Sequence, residues 1–328
     1  MQCLVVGLGS IGQRHARNWR ALGLGELHAA REFPSLEAAL ATQPEVVLVT
    51  NPTNLHVPTA RQAVQAGAHV LVEKPLGHSL DGVCELLAEA QQQERVLCVG
   101  YNLRCHPGLA RLRGIVQAGD IGRPLVARAE MGEYLPDWHP WEDYRHSYSA
   151  RRELGGGPVL TLSHELDALC WVLGRPRRIA GMTAHTSSLE VDTEDAAELV
   201  IQFESGALGS LHVDYVRRAR RRLLEVAGEE GIVRWEYDTN CLLRYAPGTR
   251  EWRIEEGDPA FTRNAMYLAE LWQLARWVTE GEQGPLASGE QGAAILGLAL
   301  AGLRAAADGC TIDLESEGEP LTRWLAQL

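Results

Sequence analysis

Lysine is almost missing from this chain. Of 31 basic residues only Lys74 is a lysine, and the rest are arginine. Whatever bias shaped the sequence has removed lysine wherever any surface cation would serve, which makes the exception conspicuous. An excess of positive charge is also lacking. With 43 acidic side chains the formal charge is -12, so a polyanion such as nucleic acid is repelled on average. The seven cysteines (Cys3, Cys84, Cys98, Cys105, Cys170, Cys241, Cys310) form no C-x-x-C pair and no zinc spacing. That pattern excludes a disulfide framework or cysteine metal centre and fits reduced cytosolic thiols. Long apolar runs are absent too: the longest nearly uncharged stretch, Ala293 to Leu303, is too short to span a bilayer. Met1 and Gln2 lead straight into an apolar strand with no basic region before it, which argues against a signal peptide. The expectation is a cytoplasmic protein with no metal, nucleic-acid or membrane partner.

What is present is a chain of 328 residues, 45% hydrophobic and 23% charged, a globular composition with length for two domains. The first hundred residues alternate short apolar runs with helical patterns, as a parallel sheet with crossover helices requires. Five strands are expected, at Cys3 to Val6, Leu27 to Ala30, Val46 to Thr50, His69 to Glu73 and Val96 to Tyr101. Near Gly119-Asp120-Ile121-Gly122 the pattern changes, so residues 1–120 are assigned to a Rossmann domain and 121–328 to a second domain. The second holds a strand from Leu125 to Tyr134, a loop rich in rings, and a helix from about Leu162 to Leu173. Strands follow at Ile179 to His185, Ala196 to Phe203, Ala207 to Val213, Arg222 to Ala227, Ile232 to Tyr237 and Leu242 to Tyr245. Two helices close the chain, near Arg263 to Glu280 and Glu290 to Ala307.

The first strand runs into Gly7-Leu8-Gly9-Ser10-Ile11-Gly12 and then a helix, the context in which G-x-G-x-x-G binds a dinucleotide. Gly7 permits the tight turn, Gly9 lets the pyrophosphate approach bare backbone, and Gly12 lets helix pack on strand. Ser10 and Ile11 open the helix, whose N-terminal amides and dipole favour phosphate. About 20 residues on, an Asp or Glu normally binds the adenosine ribose of NAD. Here Arg31 stands at that place and suits a 2'-phosphate, favouring NADP, while Glu32 keeps NAD open.

Lys74 sits in Glu73-Lys74-Pro75, just past the fourth strand, where ligands of open α/β sheets bind. Guanidinium cannot release a proton near neutrality, whereas a partly desolvated ammonium can act as acid or base. Proton transfer at a substrate oxygen therefore explains why one lysine was kept. Pro75 is expected to form a cis bond with it.

These residues resemble the glucose-fructose oxidoreductase, inositol dehydrogenase and MocA family. The matching motifs are the glycine fingerprint with Arg14-His15, Thr50-Asn51-Pro52-Thr53 with His56, Glu73-Lys74-Pro75, Gly100-Tyr101-Asn102-Leu103-Arg104, and Gly155-Gly156-Gly157 with His164-Glu165-Leu166-Asp167. The resemblance implies a Rossmann domain followed by an α/β domain with an open, largely antiparallel sheet that often forms a subunit interface, hence a homodimer or homotetramer. It implies hydride transfer between NAD or NADP and a secondary alcohol or ketone of a sugar, cyclitol or nucleotide sugar. It places Asn51, Pro52, Thr53, His56, Glu73 and Asn102 along the cofactor, Lys74 at the reacting hydroxyl and His164 as its assistant. Many members carry an aspartate three or four residues before that histidine. This chain has Thr161, which cannot hold negative charge near neutrality. Asp167, one turn after His164, either orients the imidazole or packs at the domain interface.

The stretch from Tyr134 to Tyr148 concentrates rings and charges. Trp138, Trp141 and Tyr144 offer flat faces to sugar C–H groups, and Arg145, with Arg104 or Arg151, suits a carboxylate or phosphate. The run Arg217, Arg218, Arg220, Arg221, Arg222 is expected in a solvated turn or a subunit contact. Two other classes stay open: a glycoside hydrolase or lyase that oxidises its substrate only transiently, and a non-catalytic dinucleotide sensor.

Overall fold

The computed structural model describes residues Met1–Leu328. It resolves into two compact units, Met1–Cys105 with Thr262–Leu296 and His106–Phe261 with Gly297–Leu328. The chain thus leaves the first unit at Cys105 and returns to it at Thr262, a partition different from a single break after residue 120. In chain order the first stretch gives β1 (Cys3–Val6), α1 (Ser10–Ala21), β2 (Leu27–Ala29), α2 (Leu36–Leu40), β3 (Val46–Val49), α3 (His56–Gln65), β4 (His69–Val72), α4 (Val83–Gln92) and β5 (Leu97–Val99). Next come α5 (Pro107–Gln117), β6 (Pro124–Gly132), α6 (Pro158–Thr161), α7 (His164–Leu173), β7 (Pro176–Ala184), β8 (Ala196–Phe203), β9 (Leu208–Asp214), β10 (Arg221–Gly228), β11 (Ile232–Glu236), β12 (Cys241–Ala246) and β13 (Glu251–Glu256). The rest is α8 (Arg263–Glu280), β14 (Ala287–Ser288), α9 (Gly289–Asp308), β15 (Ile312–Asp313) and α10 (Leu321–Leu325). No helix is long and apolar enough to cross a membrane.

The sheet of the first unit has the order β14-β5-β4-β3-β1-β2, parallel except where β14 meets β5 antiparallel. Its central strands β1 and β3 are buried throughout, as parallel strands between helical layers must be. Thr50, Glu73 and Tyr101 fall just beyond the ladders, so their backbones turn out of the sheet where ligands bind. One face is sealed by Trp19 of α1 and by Leu271 and Leu274 of α8, packed on Cys3, Val5, Val46, Leu48, Leu71 and Cys98. Each such leucine contributes about 1.5–3 kcal/mol on burial. That apolar stripe is why the segment after Thr262 belongs to the first unit.

The second unit is built on a nine-stranded sheet, β13-β12-β11-β10-β6-β9-β8-β7-β15, antiparallel throughout except between β6 and β9. Its strands alternate, with Ala197, Leu199, Ile201 and Phe203 of β8 buried and Glu198 and Val200 exposed between them. Helices α5 and α7 pack on one face. His106 caps α5 by accepting the Gly108 N–H on Nδ1 at 3.0 Å, in a cage of Trp235, Tyr237 and Phe261 rings. Burial, reinforced by Arg222, pushes its pKa down to about 4, which keeps the ring neutral and the capping nitrogen an acceptor. The expected helix beginning at Leu162 instead begins at His164: Leu162 leaves helical geometry and separates a short α6 from α7. β13 has no buried face to mark it: every residue in it is exposed, Trp252 and Ile254 included, and charged residues alternate with them on this edge strand.

Candidate active site

In the first unit the glycine loop has the geometry its sequence demands. Gly7 adopts φ +97, and a Cβ there would lie 2.6 Å from the Asn51 nitrogen. Gly12 lies against Gly7, so that a Cβ would meet the Gly7 carbonyl oxygen at 2.0 Å. Thr50 fixes the same carbonyl, donating to it from Oγ1 at 2.6 Å. Gly9, by contrast, has no protein atom within 4 Å of its would-be Cβ. It is the N-cap of α1 with no side-chain cap, and the first turn holds no acidic residue. Ser10 is exposed and Ile11 half-buried. Open backbone, uncapped amides and a positive helix end fit a dinucleotide pyrophosphate. Arg31 is exposed beyond β2, while the Glu32 carboxylate turns back to His28 at 3.6 Å.

Two buried histidines tie this loop to the lysine. His15 of α1 meets Glu73 Oε1 through Nε2 at 2.7 Å, and the Lys74 backbone N–H donates to Glu73 Oε2 at 3.2 Å. His56, at the start of α3, faces two carbonyls at 2.8 Å, Pro75 through Nδ1 and Asn51 through Nε2. Burial holds His56 below the usual imidazole range against the pull of both carbonyls. A neutral ring donates to only one of them at a time. The Lys74–Pro75 bond is cis. Fingerprint helix, Asn51 turn and Lys74 turn are thereby fixed to one another. Asn51 is held further by its Nδ2 bond to Thr59 at 2.8 Å, Thr53 is buried in the following turn, and Pro52 is exposed.

Several expected roles change here. The Glu73 carboxylate points to His15 and the backbone of Lys74, and His56 is only 2% exposed. Both brace the turns that carry Asn51 and Lys74. Arg104 is 2% exposed and gives Nη1 to Gln291 at 2.8 Å, so it braces the first unit instead of standing open for an anion. Asn102 is likewise buried in the short turn after β5.

A group absent from the sequence reading is Glu270 of α8. One of its carboxylate oxygens lies within 4.8 Å of an oxygen of Glu73 and a ring nitrogen of His15, and both Glu270 oxygens are buried without a hydrogen bond. Two carboxylates this close in apolar surroundings cannot both ionise. Burial, with the Glu73 charge added, holds Glu270 well above the carboxylate range. Burial also opposes ionisation of Glu73, yet the His15 bond and charge, with Lys74 beside them, hold it below that range. The one signal in the sequence was a glutamate on the stripe of Met266, Tyr267, Leu271 and Leu274. A carboxyl raised by folding stabilises below its unfolded pKa and loses that contribution as pH rises toward the folded value. Glu270→Gln, neutral at every pH, is therefore expected to raise the melting temperature relative to the parent, by a margin that grows from about pH 5 upward. A margin independent of pH would show that Glu270 is not the protonated partner.

In the second unit, Thr161 Oγ1 bonds the Gly157 carbonyl at 2.8 Å and makes a short bond with the Tyr215 hydroxyl. Trp138 packs edge-on to Tyr215 with ring centroids 5.4 Å apart, whereas Trp141 is 72% exposed. Tyr144 accepts the Glu190 N–H on its hydroxyl, and the Arg145 guanidinium pairs with Glu190 and Asp143. Arg145 is thus neutralised within its own surroundings, contrary to the anion-binding role expected for it. His164 and Asp167 stand one turn apart on α7, both buried. The arginine run disperses into ion pairs: Arg217 with Glu130, Arg220 with Asp238, and Arg222 with Glu165.

Comparison with known proteins agrees with this geometry. Residues 24–101 match the model of the oxidoreductase family with NAD-binding Rossmann fold, and residues 109–234 that of the GFO/IDH/MocA C-terminal domain. The 1,5-anhydro-D-fructose reductase of Ensifer adhaerens is 30% identical over 276 residues, 83% of this chain and 80% of that protein. The myo-inositol 2-dehydrogenase of Thermotoga maritima is 29% identical over 96% of this chain and 99% of its own length. Among solved structures, a levoglucosan dehydrogenase in complex with NADH and L-sorbose superposes with a TM-score of 0.84 at 19% identity, covering 95% of this chain and 99% of that one. An inositol dehydrogenase homologue with NAD+ from Azotobacter vinelandii gives 0.81 at 17% identity, covering 95% and 97%. At these identities the superpositions establish the fold alone.

Proposed function

Since the chain belongs to the GFO/IDH/MocA family of oxidoreductases, we propose that it interconverts a secondary alcohol and a ketone on a sugar, cyclitol or nucleotide sugar with NAD or NADP as hydride carrier. The observation that carries this reading is the pair of histidine staples, His15–Glu73 and His56–Pro75, which fix the only lysine against the dinucleotide loop. The bound nicotinamide supplies the site that accepts or returns the hydride. Lys74 takes the hydroxyl proton in oxidation and returns it in reduction. Glu73 holds the Lys74 backbone through its N–H. Thr161 is held by the Gly157 carbonyl and the Tyr215 hydroxyl. The test is a panel of free and nucleotide-linked sugars and cyclitols with oxidised and reduced NAD and NADP, followed by nicotinamide absorbance. Turnover of at least one polyol is expected; none across the panel would reject the assignment.

NADP is proposed as the preferred carrier because Arg31 is exposed and the neighbouring acid is engaged with His28. Arg31→Ala is expected to lower kcat/KM for NADPH by about tenfold, the worth of one charged hydrogen bond, and to leave NADH within about twofold. Equal loss with both carriers would remove the 2'-phosphate role. The second-unit sheet also presents Val126, Val200, Leu208 and Met182 to solvent, at 52%, 50%, 47% and 80% exposure, which supports self-association through this open face.

A further inference from the structure

Two adjacent acids precede β8, and the structure treats them oppositely. Asp195 is saturated: Thr186 and Ser187 each donate a backbone N–H and a hydroxyl to it, at 2.6–3.0 Å. Glu194 is 8% exposed and receives backbone donors alone, its own N–H and, at 3.4 Å to Oε1, the Val159 N–H. The carboxylate rests on the tri-glycine turn, where a Cβ on Gly157, at φ +96, would lie 2.4 Å from Oε1. The far side of that turn carries the neutral Thr161–Tyr215 pair, with the ring of Trp138 against Tyr215.

Burying a carboxylate with so few donors is unfavourable, and a fold that needed the position only for support would pair it as it pairs Asp195. Burial accordingly holds Glu194 above the carboxylate range, the opposite of its saturated neighbour. A residue beside a small-residue turn, an aromatic ring and a hydroxyl pair has the company that sugar pockets use: an apolar face for C–H groups and a strong acceptor for O–H groups. Nothing in the sequence pattern marked it, because Thr193-Glu194-Asp195 has the composition of an ordinary turn.

We propose that Glu194 is a specificity-determining residue whose sparsely bonded carboxylate accepts a hydrogen bond from a substrate hydroxyl on a carbon other than the one oxidised. In this chain the acid missing at position 161 has a counterpart across the same turn, used for recognition rather than proton transfer. The inference rests on the sugar-type dehydrogenase reading and adds to it a demand for a polyhydroxylated substrate.

The experiment compares parent, Glu194→Gln and Glu194→Ala on the best substrate of the panel and on its monodeoxy analogues. NADH affinity, measured by fluorescence, and melting temperature are recorded beside kcat/KM. The parent should disfavour one monodeoxy analogue by about 10- to 100-fold, the range of a hydrogen bond to a charged group. Glu194→Ala should lose a similar factor on the full substrate and almost none on that analogue, so the preference collapses while NADH affinity holds. Glu194→Gln, which also accepts from a hydroxyl but without the charge, should fall between. An active parent whose variants are unchanged, or which lose the same factor on every analogue, overturns the inference alone. A parent inactive on the whole panel overturns the dehydrogenase reading and the inference with it.

Discussion

Lys74→Met should lower kcat by about two to four orders of magnitude, the range in which a positioned general acid or base contributes, with NADH affinity within a few-fold of the parent. The fold should survive because two bonds that hold this turn are kept: Glu73 takes the His15 imidazole and the backbone N–H of residue 74, which methionine retains. Lys74→Arg is the sharper variant. It keeps a cation at the same place but one that cannot give up its proton near neutral pH. If Lys74 moves a proton, arginine is nearly as inactive as methionine; if it serves only as a fixed charge, arginine restores much of the rate. Steady-state kinetics on the best panel substrate, with NADH binding measured separately, distinguishes the two, and methionine at near-parent turnover would remove Lys74 from the chemistry.

The features legible in the sequence were those carried by local pattern. The fingerprint between strand and helix, the alternation of β8 and the placement of Lys74 past the fourth strand all depend on neighbours within a few residues, where periodicity reports directly. What escaped was long-range. His15 and Glu73 are 58 positions apart, and Glu270 arrives from a helix that rejoins the first unit only after His106–Phe261 of the second has been traversed. Arg104 and Arg145 looked available for an anion because the groups that occupy them, Gln291 and Glu190, lie far along the chain. Residue type alone cannot tell an open guanidinium from one already satisfied, and the same blindness hid Glu194 beside Asp195.

The glycine loop allows folding and cofactor binding to be separated by adjacent substitutions. Gly9→Ala should leave the melting temperature unchanged or slightly higher, since its backbone, at φ -67 and ψ -169, is open to any residue and the new methyl meets no protein atom within 4 Å. NADH affinity should nevertheless fall by about 100-fold, because the methyl occupies the approach that the pyrophosphate needs. Gly12→Ala gains up to about 1 kcal/mol of helix propensity. Its methyl, however, would stand 2.0 Å from the Gly7 carbonyl and 2.6 Å from Thr50 Oγ1, both backed by the β1–β3 ladder. Neither partner is a flexible side-chain end, so α1 must shift off the sheet, an overpacking penalty of about 1–3 kcal/mol or more, and Trp19 moves with it. The expected result is a lower melting temperature together with lost NADH binding. Thermal denaturation and fluorescence titration of both variants give a crossed pattern, stability kept at Gly9 and lost at Gly12. Gly9→Ala binding NADH like the parent would mean that the dinucleotide does not cross the loop at this point.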